Sequence, residues 1–277
     1  MDKTAEYSEL ISNRENLYRF LGHIYQSEAD QTLLDQMQNM SFPSECGEDD
    51  LSAGYRMIEQ YFRHPGSDPL TDLSVDYARV FLGAGIAGDD AAYPYESVYT
   101  SPKRLIMQDA RDQAVAAYRA KGLALAETLD IPEDHIALEL EFMAHLCREA
   151  QQALAVQDWL SVSTCLQEQM DFLEQHLLNW IPAFCADVGK FAGTEFYKAV
   201  AKVTHGYLCL ERNILADMIA GTAAGARSGK YPLARYLYMF TNGWPEGDVL
   251  DFINYMQSPA GQKIVNSTGF VSLQEMK

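Results

Sequence analysis

The chain has no apolar run approaching the roughly 18 residues that a membrane span needs. Its opening residues, MDKTAEYSEL, lack the apolar core of a secretory signal. These two absences lead us to expect a cytoplasmic protein without stable membrane insertion. Cysteine is sparse: Cys46, Cys147, Cys165, Cys185 and Cys209 are odd in number and contain no C-x-x-C pair. That argues against a disulfide frame or a zinc site and fits free, buried thiols in a reducing compartment. Positive charge is also short, with 21 Lys and Arg against 39 Asp and Glu, a net charge of −18. A nucleic-acid binder would need a basic footprint, so that class is excluded. A cationic partner and a plain acidic surface both remain open.

Several catalytic signatures are missing as well. There is no G-x-S-x-G elbow and no H-E-x-x-H helix. The stretch SGKY at Ser228 to Tyr231 hints at a phosphate loop. However, Gly225 and Gly229 stand too close together for one, and Tyr231 occupies the place of the magnesium-binding Ser or Thr.

What is present is helical periodicity. With 48% hydrophobic residues the chain can bury a large core. Leu10, Leu17, Leu21 and Ile24 return at helical spacing over residues 5–26. Further helices are expected over residues 33–40, 51–63 and 72–82. Another is expected to start at Ser101-Pro102 and run to Lys121, with Gly122 at its C-cap. A central helix should span residues 132–156, apolar on most of its circumference through Ile136, Leu140, Met143, Cys147, Ala150 and Leu154. Residues 158–180, stopped near Pro182, and residues 194–220 complete the series. Period-2 alternation is absent before residue 221, so the fold class is all-α, a helical bundle.

Composition divides the chain into an all-helical domain (1–220), a small-residue linker (221–229) and a C-terminal appendage (230–277) of mixed α/β pattern. Lys230, Arg235, Lys263 and Lys277 balance Glu246, Asp248, Asp251 and Glu275 in the appendage. The whole charge imbalance therefore lies before it.

Two features carry chemistry. The first is the glycine- and proline-marked loop over residues 83–102, with YPYESVY (residues 93–99) inside it. A loop that long in a compact domain tends to be functional or disordered, and disordered segments seldom carry three tyrosines. The second is the PEDH start of the central helix. Pro132, Glu133 and Asp134 suit a helix N-terminus, but a protonated imidazole there is disfavoured, so His135 must gain something else from its position. Tyrosines with polar tips suit a binding face, and Glu96 and Asp134 could receive guanidinium groups. Equally, the tyrosines could pack beneath the loop and Asp134 merely cap the helix. Glu141, His145 and Glu149, like His135 and Glu139, sit four apart with no matching pair on another helix, so neither a metal nor a cofactor is expected.

The runs YARVFLGAGIAGDDAAYPYESVYTS, YRAKGLALAETLDIPEDHIALELEFMAHL, HLLNWIPAF and EFYKAVAKVTHGYL resemble, in order and spacing, the TorD/DmsD family of cytoplasmic redox-enzyme maturation chaperones, related to the NarJ type. The resemblance covers about residues 13–219 and departs at Tyr93-Pro94, where relatives often carry two prolines. It implies an all-helical fold without catalysis. It also implies a chaperone that binds the twin-arginine leader of a molybdopterin-dependent oxidoreductase and holds it from export until the cofactor is inserted. The partners implied are that leader and the apo-enzyme, a homodimer being left open. Carried over by motif, the leader-binding residues are Tyr95, Glu96, Ser97 and Tyr99 in the loop and Glu133, Asp134 and His135 at the helix start. In this reading Asp134 and Glu96 attract the arginine pair, while Tyr77, Phe81 and Tyr99 take the apolar stretch. The appendage resembles the C-terminal end of PstS-type periplasmic phosphate-binding proteins. This leaves a phosphate- or solute-binding protein as one rival reading and a helical-bundle metalloprotein as another.

Overall fold

The computed structural model describes residues 3–40, 42, 49–85, 91–126 and 129–227, with 254–255, 258–260 and 262–263 near the C-terminus. Ten α-helices and no strand occur among the described residues: α1 (Lys3–Gln26), α2 (Gln31–Gln38), α3 (Asp49–Arg63), α4 (Pro69–Leu82), α5 (Glu96–Thr100), α6 (Asp109–Ala120), α7 (Ile136–Ala155), α8 (Trp159–Phe172), α9 (Ile181–Phe191) and α10 (Glu195–Arg227). The expected all-α bundle is what the chain forms. A π-helical turn, Leu173–Leu177, continues α8.

Helix α7 lies at the centre, as its broad apolar surface requires. It packs along α1 on one side and α8 on the other, while α10 runs beside α3, α8 and α9. Its stripe from Ile136 through Leu140, Met143 and Cys147 to Ala150 is wholly buried. Gly54 and Gly206 let α3 and α10 touch backbone to backbone. A Cβ on Gly206 would collide with the Leu51 amide, and one on Gly54 would stand 2.7 Å from the Val203 side chain.

Several boundaries differ from the periodic reading. Ser101-Pro102 closes the short α5 instead of opening a helix, and α6 begins only at Asp109. Gly122, at φ 70°, stands just past its end as expected. Helix α7 begins at Ile136, so Pro132 to Asp134 form a turn before it and His135 is its N-cap. Pro182 not only stops one helix but opens α9, where its missing N–H costs nothing. Helix α10 continues through Arg227, across most of the stretch that composition reads as a linker. The appendage falls almost wholly outside the described residues, as does Cys46. Among the described residues no cysteine forms a disulfide: Cys147, Cys165 and Cys185 are buried and Cys209 is half-buried.

Two buried polar clusters fix how the helices meet. Arg14 on α1 is inaccessible and donates from Nε to Glu211 Oε1 of α10 at 2.7 Å and from Nη2 to Gln169 Oε1 of α8 at 2.5 Å. The Tyr18 hydroxyl donates to the same carboxylate at 2.9 Å. Burial works against the guanidinium charge, but Glu211 beside it more than offsets this and holds its pKa well above the ordinary range. At the other end, the Asp76 carboxylate of α4 caps α10. It accepts from the Gly193 and Thr194 amides at 2.9 and 2.8 Å and from the Thr194 hydroxyl at 2.6 Å.

Removing one member of the Arg14 cluster leaves the other charge buried and unpaired. Glu211→Ala should therefore destabilise the protein by about 3–5 kcal/mol. The double variant Arg14→Met/Glu211→Leu should lose much less, as read by urea denaturation.

Candidate functional site

The loop and the start of α7 are joined by backbone. The Glu96 amide donates to the Asp134 carbonyl and the Ile136 amide to the Pro94 carbonyl, each at 2.9 Å. Tyr95 and His135 thereby form an isolated antiparallel bridge. Side chains reinforce it. Asp134 is fully buried and accepts from the Ser97 amide at 2.8 Å, which anchors the first turn of α5, while its other oxygen has no partner. Burial raises the Asp134 carboxyl above its usual range.

His135 gains a cap from its position. Its Nδ1 accepts from the Ala137 amide at 3.1 Å, so the ring is neutral with its proton on Nε2. It packs edge-on against Tyr95 with centroids 5.1 Å apart. Burial lowers its pKa to about 4, so the imidazolium that would oppose the helix dipole does not form at neutral pH. Glu133 faces outward and receives Arg111 of α6 bidentately, at 2.6 and 2.8 Å, while the Tyr118 hydroxyl donates to its carbonyl.

Glu96 points the other way, into the bundle. Its oxygens accept from Asn179 Nδ2 at 2.7 Å and meet His176 Nδ1 at 2.9 Å. Beside it lies Glu139 of α7, fully buried, whose carboxyl accepts from Trp180 Nε1 at 3.1 Å. Burial first, then the neighbouring Glu96 charge, pushes the Glu139 carboxyl well above the carboxylate range. Periodicity reads Glu139 as a helix-surface residue with a local partner. Only the packing of the π turn and of Trp180 against α7 exposes its role.

Tyr99 stacks on Trp180, and its hydroxyl donates to Asp187 at 3.2 Å. Arg104 lies over its ring at 4.9 Å and also reaches Asp187. Phe184 connects Tyr99 inward to Phe81, which packs on Tyr77. The named site residues thus form one connected unit, but they face different ways. Tyr77, Phe81, Glu96, Ser97, Asp134 and His135 are buried, and Tyr95, Tyr99 and Glu133 reach the surface.

Sequence reasoning missed the loop after α5. Leu105, Ile106 and Met107 are about half exposed, on a segment where Arg104 and Met107 take left-handed φ values of 51° and 58°. Ser97 Oγ accepts from the Gln108 amide and Ser101 Oγ from the Leu105 amide, both at 3.1 Å, which fixes the apolar tip in place. The run LIM in a non-helical segment was the available signal.

The described residues form an all-helical bundle in which this clasp ties the loop to the start of α7. The family model for the nitrate reductase delta subunit matches residues 48–186. The chaperone protein TorD of Vibrio cholerae serotype O1 is 33% identical over 155 residues, 56% of this chain and 67% of the relative. TorD of Vibrio atlanticus is 27% identical over 225 residues, 78% of this chain and 99% of the relative, and TorD of Shewanella pealeana is 24% identical over 218 residues, 74% and 91%. The chain belongs to this family, that of the nitrate reductase delta subunits and TorD chaperones. Its named relatives are chaperones, a non-enzymatic role. No helix among the described residues is long and apolar enough to cross a membrane.

His135 sets a pH dependence. The unfolded residue takes its proton near the ordinary value of 6.5 and the folded one only near 4. Between these values the unfolded state binds more protons, so stability should be complete above about pH 6.5 and fall as pH drops toward 4. His135→Asn, which keeps a capping side chain, should flatten that slope in denaturation curves at pH 7 and 4.5. His135→Ala should in addition lose about 1 kcal/mol of capping at neutral pH.

Proposed function

We propose that the chain is a redox-enzyme maturation chaperone of the cytoplasm that binds the twin-arginine leader of a molybdopterin-dependent oxidoreductase and holds the enzyme from export until its cofactor is inserted. The observation that carries this reading is similarity to TorD chaperones along nearly their whole length. The clasp between the ESVY loop and the EDH helix start gives it a physical form.

In this proposal the leader-binding residues divide by exposure. Tyr95, Tyr99 and Glu133 meet the leader. Tyr77, Phe81, Glu96, Ser97, Asp134 and His135 hold the backbone beneath them. The exposed Leu105, Ile106 and Met107 beside Tyr99 suit the apolar stretch that follows the arginines. Glu133 and Asp187, half-exposed and already paired with Arg111 and Arg104, can exchange those partners for the leader's guanidiniums like for like. The net charge of −18 steers a basic leader toward the surface.

Calorimetric titration with twin-arginine leader peptides tests this reading. A matching leader should bind with a Kd of about 1 µM or tighter. Replacing both arginines by lysine should weaken it at least about tenfold, and added salt should weaken it further. Tyr95→Ala and Tyr99→Ala should each lower affinity by about tenfold. Binding by none of the leaders would remove the reading. Unchanged affinity in folded Asp134→Ala and His135→Ala proteins would remove this face as the site.

A further inference from the structure

Glu96, Glu139 and His176 come from α5, α7 and the π turn, three segments far apart in the chain. All three are buried, and they bring one ligand atom each to within 4.8 Å of one another. His176 Nδ1 lies 2.9 Å from Glu96, an ion pair only when the imidazole is protonated, and no fixed positive charge among the described residues answers Glu139. Among the described residues no Lys or Arg pairs with Glu96 or Glu139, in contrast to two other buried carboxylates. Glu211 has Arg14, and Asp76 has Arg79 and the amides of α10. Two carboxyl groups therefore meet in the interior with one imidazole beside them.

The surroundings are those of a ligand set. Asn179 Nδ2 holds one oxygen of Glu96 and Trp180 Nε1 holds one oxygen of Glu139, so each carboxylate is oriented by an outer donor. The remaining Glu139 oxygen, Oε1, is inaccessible and no N–H or hydroxyl donor reaches it, in a side chain that is 0% exposed and stands beside Glu96, an acid of like charge. His176 is carried by a π-helical turn, a local irregularity that turns the ring toward the two carboxylates and that recurs at functional sites. Phe172 stacks on the ring at 4.6 Å and fixes its plane. Asn179, whose amide holds Glu96, is itself exposed.

We propose that Glu96, Glu139 and His176 form a binding site for one divalent transition-metal ion, held by two carboxylates and one imidazole. The hard oxygen ligands with a single nitrogen suit zinc, manganese or iron(II) and leave a position for water. The ion supplies the positive charge that the protein leaves out and joins α5, and with it the whole ESVY loop, to α7 and the turn after α8. A second group, Glu149, Cys165 and Glu168, has similar spacing but is already filled. Lys121 Nζ lies 2.8 Å from Glu149 and 2.5 Å from Glu168, so that group is an ion-pair cluster. The expectation of no metal from sequence rested on pairs along single helices, which this arrangement does not use.

The test uses the untagged full-length chain, stripped with chelator and titrated with zinc by calorimetry. One ion per chain should bind, and Glu139→Gln and His176→Gln should each lower the affinity by more than about 100-fold, the upper end of what lost outer support alone produces. Glu168→Gln should leave it unchanged. X-ray absorption of the zinc-loaded native chain should give a shell of oxygen and nitrogen only, with one imidazole, and this readout stands even if a variant fails to fold. Failure to take up zinc, a sulfur atom or a second imidazole in the shell, or a folded Glu139→Gln protein that binds as tightly as the native chain would overturn the proposal. None of these outcomes depends on leader binding.

Discussion

The pair of backbone hydrogen bonds between residues 94–96 and 134–136 is the constraint on which the rest of the site depends. It ties a loop to the first turn of the most buried helix, and a loop in that place would otherwise expose unpaired amides to an apolar bundle. Once the bridge forms, each neighbouring side chain has little choice. Ser97 must offer its amide to Asp134, Glu96 must turn inward, and Tyr95 must lie against His135. The clasp converts a sequence of polar and aromatic residues into a rigid platform at one end of the bundle.

The platform has two faces with different chemistry. Outward it offers Tyr95, Tyr99, the Glu133–Arg111 pair and the Leu105–Met107 tip, a surface of amphipathic rings, exchangeable ion pairs and apolar area. Inward it presents Glu96 to Glu139 and His176, a buried polar cluster. A protein that binds a flexible peptide gains from such a division, because a face already ordered by its interior loses little entropy on binding. The buried Arg14 cluster and the Asp76 cap act at a distance to the same end, since they fix α10 and α8, on which α9, the π turn and hence Trp180 and His176 are seated.

Exposure decides how the motif residues divide. Asp134 and Glu96 are acidic, and acidity alone suits an arginine ligand. Both are enclosed, and their partners are an amide for one Asp134 oxygen and an imidazole and an amide side chain for Glu96, all from the protein itself. Glu133, one residue before Asp134, has the same chemistry and lies half-exposed. Alternation along a tight turn, and nothing in residue type, separates the two.

Much of this was legible in the sequence. The apolar stripe of α7 forces a central helix because no other placement hides it, and Gly122 marks the end of α6 because few other residues accept its φ. The ESVY and EDH motifs are likewise visible as residues that helix rules do not demand. Three things were not legible. The start of α7 shifted to Ile136 because His135 caps the helix through its ring, an option that the Pro-Glu-Asp pattern hides. Residues 221–227 are helical despite their small side chains, since they extend a helix already nucleated. Glu139 and His176 carry no local mark at all. Periodicity reports which face of one helix is apolar, while the meeting of two carboxylates and an imidazole depends on how three segments pack. Sequence by itself therefore determined the helices, their central member and the two motifs, and the tertiary structure alone decided which acids face solvent and which face one another.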